Sequence, residues 1–270
     1  MESSDTVSPT TEAPAAAPES ELDERLYLSS AARALSVLET FSGAHRPKSL
    51  NEIARDLDIT KSAAQRTVYT LVAHGYLEKA EGIGYRLGRR VLDLAFDFLR
   101  MEPLVQRAAP VLTELRRSSN ERVDLSLFDG TTMIYALRYQ SKRETFYATL
   151  LGRRRATYSM AGGRACLALL PKDEADKILL QSDLTSVTPR TITDIDQLRE
   201  KIEEARRDTF AYAAEEAFMG ELAVAAAVTD HLSRPVGAVH IAGLLSDWSE
   251  AEFKQRFAPL VIEAARAISE

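Results

Sequence analysis

Ser62, Gln65, Arg66 and Tyr69 stand at i, i+3, i+4 and i+7, so on a helix they form one polar stripe two turns long. Ala64, Val68, Leu71 and Val72, at i, i+4, i+7 and i+8, make the opposite face apolar and decide which side is buried. The exposed residue types suit duplex bases. Gln65 can pair bidentately with adenine and Arg66 with guanine or a phosphate, while Ser62 near the amino end can bond a phosphate as helix N–H groups do. Ala63 is grouped with them as a base-facing position. Lys61, Ser49, Arg33 and Arg86 are better placed for backbone contacts, which orient a protein without reading sequence. A solvated helix face, or a winged helix used as a protein-interaction scaffold, would carry the same pattern.

The elements around the stripe are those needed to present it. A helix opens at Ser29 with Leu35, Leu38 and Phe41 on one face and ends at Gly43 and Pro47. Ser49 and Glu52 have capping-box spacing and open a short second helix through Ile53 and Leu57. After Asp58-Ile59-Thr60 the striped helix runs to Gly75. Tyr76–Lys79, a tip at Glu81-Gly82-Ile83-Gly84, and Tyr85–Leu87 then read as a hairpin. Three helices and a hairpin make a winged helix-turn-helix, whose second motif helix enters the major groove. Charge agrees: residues 25–90 hold eleven Lys/Arg against six acids, a net of +5 in a chain of net −6, which leaves −11 for the rest.

The remainder reads as α+β, so the fold class is α+β with two domains. Val91, Leu92, Ala95, Phe98 and Leu99 make one side of an 89–101 helix too apolar to face water alone, and Pro103 opens another helix carrying Val111, Leu112 and Leu115. Strands follow with Val123, Leu125 and Leu127, then Met133, Tyr135 and Leu137, then Phe146, Ala148 and Leu150, with Asp129-Gly130 as a hairpin turn. Helices are expected near 162–170, 172–181 and 194–208, strands at 221–228 and 235–243, and a last helix behind the Ser249/Glu252 capping box. The expected divisions are a disordered tail over 1–24, the winged helix over 25–88, a linking and dimerising helix over 89–102, and the sheet domain over 103–270.

At 270 residues the chain has room for two cores. No apolar run approaches the roughly 18 residues of a membrane span, and the start lacks a basic and apolar leader, so a soluble cytoplasmic protein is expected, away from membranes. The single Cys166 closes no disulfide within the chain and reads as a buried small hydrophobe. HExxH, GxSxG, Walker and GxGxxG motifs are lacking, and His45, His74, His231 and His240 show no ligand spacing. No catalytic residue, metal or cofactor is expected; an enzyme fused to a DNA-binding domain is the least favoured alternative.

Leu50–Leu57, Lys61-Ser62-Ala63-Ala64-Gln65-Arg66, Thr70–Leu77 and Tyr85–Gly88, followed by Gly152-Arg153-Arg154, Ala161–Ala165, Thr191–Asp194 and Glu215-Glu216, resemble in order and spacing the isocitrate-lyase-regulator (IclR) family of bacterial transcription factors. The resemblance spans roughly 29–269. It implies a GAF-like antiparallel sheet domain with flanking helices that binds a small organic acid. It also implies a homodimer or tetramer on palindromic double-stranded operator DNA. The segment Tyr158, Ser159, Met160, Ala161, Gly162 and Gly163 would close over the effector, with Glu215 nearby.

This sequence departs from the family at several pocket positions. Met160 replaces a usual threonine, Ala213 an aspartate, Ala223 a cysteine, and His240 and Ala242 replace serines. Fewer polar groups favour a bulkier aromatic acid over a small keto acid. Its carboxylate would meet Arg154, or His240 as imidazolium. Each has a plainer reading: Met160 as core filler, His240 as a satisfied structural histidine, Arg153-Arg154-Arg155 as a solvated charge run, Tyr135 as core.

Overall fold

The computed structural model describes residues 26–80, 82, 84–141 and 151–270. The expected 1–24 tail, the Phe146/Ala148/Leu150 strand, and Glu81 and Ile83 of the hairpin tip lie outside the described residues. The chain divides into two compact units between Phe98 and Leu99.

The first unit holds α1 (Ser29–Glu39), α2 (Leu50–Asp56) and α3 (Lys61–Ala73), then the wing β1 (Leu77–Ala80) and β2 (Gly84–Leu87). Val37, Phe41, Ile53, Ala64, Val68, Leu71 and Leu77 form its core. The capping box is present at α2: Ser49 Oγ accepts the Glu52 N–H at 3.3 Å and the Glu52 carboxylate accepts the Ser49 N–H at 2.8 Å. Leu35 departs from expectation, being 61% exposed while Val37 is buried in its place. The wing is tied back where Lys48 and Tyr85 exchange backbone hydrogen bonds of 2.8 and 2.9 Å. Gly84 is required there, because a Cβ would fall 2.3 Å from the Lys48 carbonyl oxygen. Helix α4 (Arg90–Met101) crosses the division between the units, and its Leu92, Leu94, Phe96 and Phe98 are exposed.

In the second unit, α5 (Pro103–Ser119) leads into β3 (Arg122–Asp129), β4 (Thr132–Tyr139) and β5 (Arg154–Ala156). A 3-10 turn, Thr157–Ser159, precedes α6 (Ala161–Leu169), α7 (Lys172–Gln181) and α8 (Ile195–Asp208). Strands β6 (Ala211–Ala214), β7 (Glu221–Thr229) and β8 (Pro235–Leu244) follow, and α9 (Glu250–Ile268) closes the chain. The sheet is antiparallel with strand order β5-β4-β3-β8-β7-β6.

Helices cover both sides of this sheet. Val123 and Leu125 of β3, Leu222, Val224 and Val228 of β7, and Val239 and Ile241 of β8 pack with α5 and α9. Ala225 of β7 packs with α6, α7 and α8 on the other side. Met133, Tyr135 and Leu137 were expected on one face, but β4 carries a bulge. Leu125 pairs with Leu137 and Ser126 with Tyr135, so Ala136 is the extra residue. Met133 and Tyr135 therefore pack with Met160 and Cys166, whereas Leu137 joins the α5/α9 side.

Helix α6 lies unusually close to its neighbours. A Cβ on Gly162 would be 2.2 Å from His240 Cε1, and one on Gly163 would be 2.0 Å from the Thr157 carbonyl oxygen. Gly163 is thus a close-packing position, and neither glycine lines the cavity described below. Because backbone cannot move aside cheaply, Gly163→Ala is expected to cost about 1–3 kcal/mol of stability, read as a lowered denaturant midpoint of the full chain.

Candidate functional site

On α3, Lys61, Ser62, Gln65, Arg66 and Tyr69 are all exposed, Tyr69 by 76%, and Ala63 is half-buried. Thr60 starts the helix, its Oγ1 accepting the Ala63 N–H at 3.2 Å. Lys61 and Arg66 make no ion pair among the described residues. Ser62, Arg66 and Thr70 border a groove whose other wall includes the half-buried Arg33 of α1. Arg86 donates Nε–H to Glu78 Oε1 at 2.6 Å across the exposed wing, a weak surface pair that a phosphate can replace. Ser49 is different from the expectation. Its hydroxyl donates to Glu52 Oε2 at 2.8 Å while accepting the cap bond, so it is occupied within the protein.

In the second unit, the sheet face under α6 is polar at its centre. Arg122 donates Nε–H to Asp124 Oδ2 at 3.0 Å and Nη2–H to Glu221 Oε2 at 2.6 Å. Arg138 grips Asp124 with two bonds, 2.7 Å from Nε to Oδ1 and 2.9 Å from Nη2 to Oδ2. Burial nonetheless raises the Glu221 pKa above the usual carboxylate range. His240 Nε2 lies 2.7 Å from Ser126 Oγ. Burial lowers the His240 pKa to about 4, against the opposing pull of Asp124 and with help from Arg122 and Arg138. The imidazole is neutral at neutral pH, so the expected imidazolium partner for a carboxylate does not exist there.

These groups border a cavity of about 20 Å³, room for a single water. Ser159, Met160, Ala161, Ala213, Glu215, Ala223, His240 and Ala242 line it, together with Arg122, Asp124, Tyr135, Glu216, Ala217, Phe218 and Glu221. Tyr158 turns away and donates its hydroxyl to the Thr185 carbonyl at 2.6 Å. Arg154 is also outside the lining, paired with Asp129 and, at 2.8 Å, with Thr132 Oγ1.

The roof of the cavity is the turn after β6. Arg164, fully buried, donates to both oxygens of Glu216, at 2.7 Å for Nη1 to Oε1, and its Nε–H binds the Tyr158 carbonyl at 2.9 Å. Thr188 and Thr191 donate to the carbonyls of Glu215 and Glu216 at 2.6 and 2.8 Å. Cys166 Sγ faces the Gly237 carbonyl at 3.3 Å, and burial pushes its thiol up, which makes it inert. Among the described residues no three His, Cys, Asp or Glu side chains converge as metal ligands, and no helix is long and apolar enough to cross a membrane.

A winged helix with an exposed polar helix face, followed by an antiparallel sheet domain with a small, partly open cavity, defines a two-domain class in which one part can bind DNA and the other can take up a small molecule. Residues 30–81 match the "IclR helix-turn-helix domain" and residues 96–270 match "Bacterial transcriptional regulator IclR C-terminal". The chain belongs to the IclR family of bacterial transcriptional regulators.

Among solved structures it is similar to a transcriptional regulator from Rhodococcus sp. RHA1, with 31% identity, a TM-score of 0.77, and coverage of 90% of this chain and 97% of that one. The regulator XynR of Escherichia coli K12 is 26% identical over 245 residues, 89% of this chain and 97% of that protein. An IclR homolog from Microbacterium hydrocarbonoxydans, in complex with 4-hydroxybenzoate, shares the fold at TM-score 0.72 and 22% identity, covering 89% of this chain and 97% of that one.

Because folded His240 has its pKa lowered from 6.5 to about 4, the unfolded chain binds more protons between these values. The stability contributed by neutral His240 is complete above pH 6.5 and is lost as pH falls toward 4. His240→Gln is expected to flatten the dependence of urea-unfolding stability on pH in this window relative to the parent chain.

Proposed function

We propose that this regulator docks α3 in the major groove of operator DNA as a homodimer or tetramer, and that a small organic acid in the second unit controls that docking. The DNA contacts assigned are Gln65 and Arg66 to bases, with Ser62, Ala63 and Tyr69 beside them. Lys61, Arg33 and Arg86 serve phosphates. The exposed apolar side chains of α4 suit a second copy of the chain.

The observation that carries the ligand half of the reading is the small cavity at the centre of the second unit's sheet. Its wall joins a ring of buried charge to apolar Met160 and Phe218, with Ala213, Ala223 and Ala242 where larger polar side chains would reduce the space. An aromatic acid fits this composition better than a small keto acid, and the Microbacterium homolog holds a ligand of that class. At about 20 Å³ the cavity admits no organic acid as it stands. Binding therefore selects a second arrangement of the walls, and differential affinity for the two arrangements is what shifts the population that docks on DNA.

The test is fluorescence anisotropy of promoter fragments from the protein's own and neighbouring genes, at several salt concentrations, with and without benzoate, 4-hydroxybenzoate and pyruvate. The parent chain is expected to bind with a steep salt dependence and to respond to the aromatic acids. Arg66→Ala is expected to weaken operator binding about 5- to 150-fold while leaving ligand-induced thermal shifts intact. A folded protein indifferent to every fragment under all these conditions overturns the proposal.

A further inference from the structure

Arg155 is one residue beyond Arg154, the arginine expected to meet the ligand's carboxylate, and strand alternation gives the two opposite surroundings. Arg154 is occupied by Asp129 and Thr132. Arg155 pairs in register with Met133 of β4, on the face that Met133 shares with Tyr135, and is only 9% exposed. Its guanidinium carbon lies 4.9 Å from the centre of the Phe218 ring. Phe218 and Tyr135 line the cavity, and Arg155 stands behind the Phe218 ring, outside the lining itself.

Among the described residues the Arg155 side chain makes no hydrogen bond or ion pair, and its Nε is buried without an acceptor. The other deeply buried arginines of this unit are matched. Arg122 and Arg138 share Asp124, Arg122 also holds Glu221, and Arg164 holds Glu216. Burial, and the like charges of Arg153 and Arg138, pull the Arg155 pKa down against the opposing pull of Tyr135 and Glu221, neither of which contacts the guanidinium among the described residues. A guanidinium kept out of water without a carboxylate weakens the fold, and a ring stacked on one face leaves its planar fork of donors free.

We infer that Arg155, which stands behind Phe218 and outside the present lining, becomes the anion anchor when the walls rearrange around the ligand, and pairs with the carboxylate of the bound organic acid. This rests on the ligand reading given above and adds to it the residue that selects a carboxylate. Acid and uncharged amide of the same shape are then told apart by a single side chain, with Met160 left to the apolar part of the ligand.

The experiment uses the full chain and its Arg155→Met and Arg155→Lys variants. Thermal melts are recorded without ligand and with benzoate, 4-hydroxybenzoate and the two matching benzamides at equal ionic strength. Ligand-free R155M is expected to melt at the parent temperature or about 2–4 °C above it, because an uncompensated charge has gone. A clear drop in its melting temperature marks a structural arginine and overturns the inference. The parent chain is expected to prefer carboxylates to amides, R155M to lose that preference with at least about a tenfold fall in carboxylate affinity, and R155K to keep part of it. An undiminished preference in R155M overturns the anchor while leaving the organic-acid reading in place. A parent chain that treats acids and amides alike overturns both.

Discussion

A sheet covered by helices on both faces cannot hand its charges to water, so each one must be answered from within. Asp124 is the centre of that constraint. In the strand register it stands opposite Arg138 on one side and His240 on the other, and Arg122 reaches it along its own strand. One carboxylate thus meets two guanidinium groups, and Glu221 from β7 supplies the second negative charge. Burial keeps the neighbouring imidazole neutral against Ser126, and the two guanidinium groups offset the pull of Asp124 toward ionising it. The character of the cavity, polar on its floor yet close to neutral, follows from this arrangement.

The bulge at Ala136 decides which side chains reach that floor. Without the extra residue, Tyr135 and Leu137 would keep the same parity, and one of them would be on the wrong side of the sheet. With it, Arg138 and Tyr135 share a face, the guanidinium carbon 4.8 Å from the ring centre, while Leu137 packs toward α5 and α9. Bulges of this kind re-aim side chains beside sites at the cost of one ladder position. Here one backbone irregularity delivers both a phenol and a charged group to the same small volume.

Much of the chain was legible because local physics and final structure agree. Both capping boxes, the stop at Gly75, the 221–228 and 235–243 strands, and the polar stripe on α3 rest on short-range chemistry that packing did not alter. What was not legible depends on contacts distant in sequence. Strands β5 and β6 have three and four residues, too few to show a period. Arg122 and Asp124 alternate with Val123 and Leu125 as an amphipathic strand should, and only α6 lying over them turns a solvent face into an interior one. Leu35 fits a helical stripe but is exposed, and Val37 takes the place in the core. Arg164 and Glu216 are 52 positions apart, and a buried ion pair at that range leaves no trace in either neighbourhood.

The closeness of α6 to β8 carries a mechanical consequence. At Gly162 the helix backbone presses on the imidazole of His240 with no space for even one methyl group. Interiors packed to this density do not absorb a displacement near its origin; they pass it on. A sideways displacement of that ring has no free space on the helix side, so it would have to be shared with the helix that carries Arg164, the residue that pins the turn above. A wall that would otherwise yield quietly is thereby made into a lever.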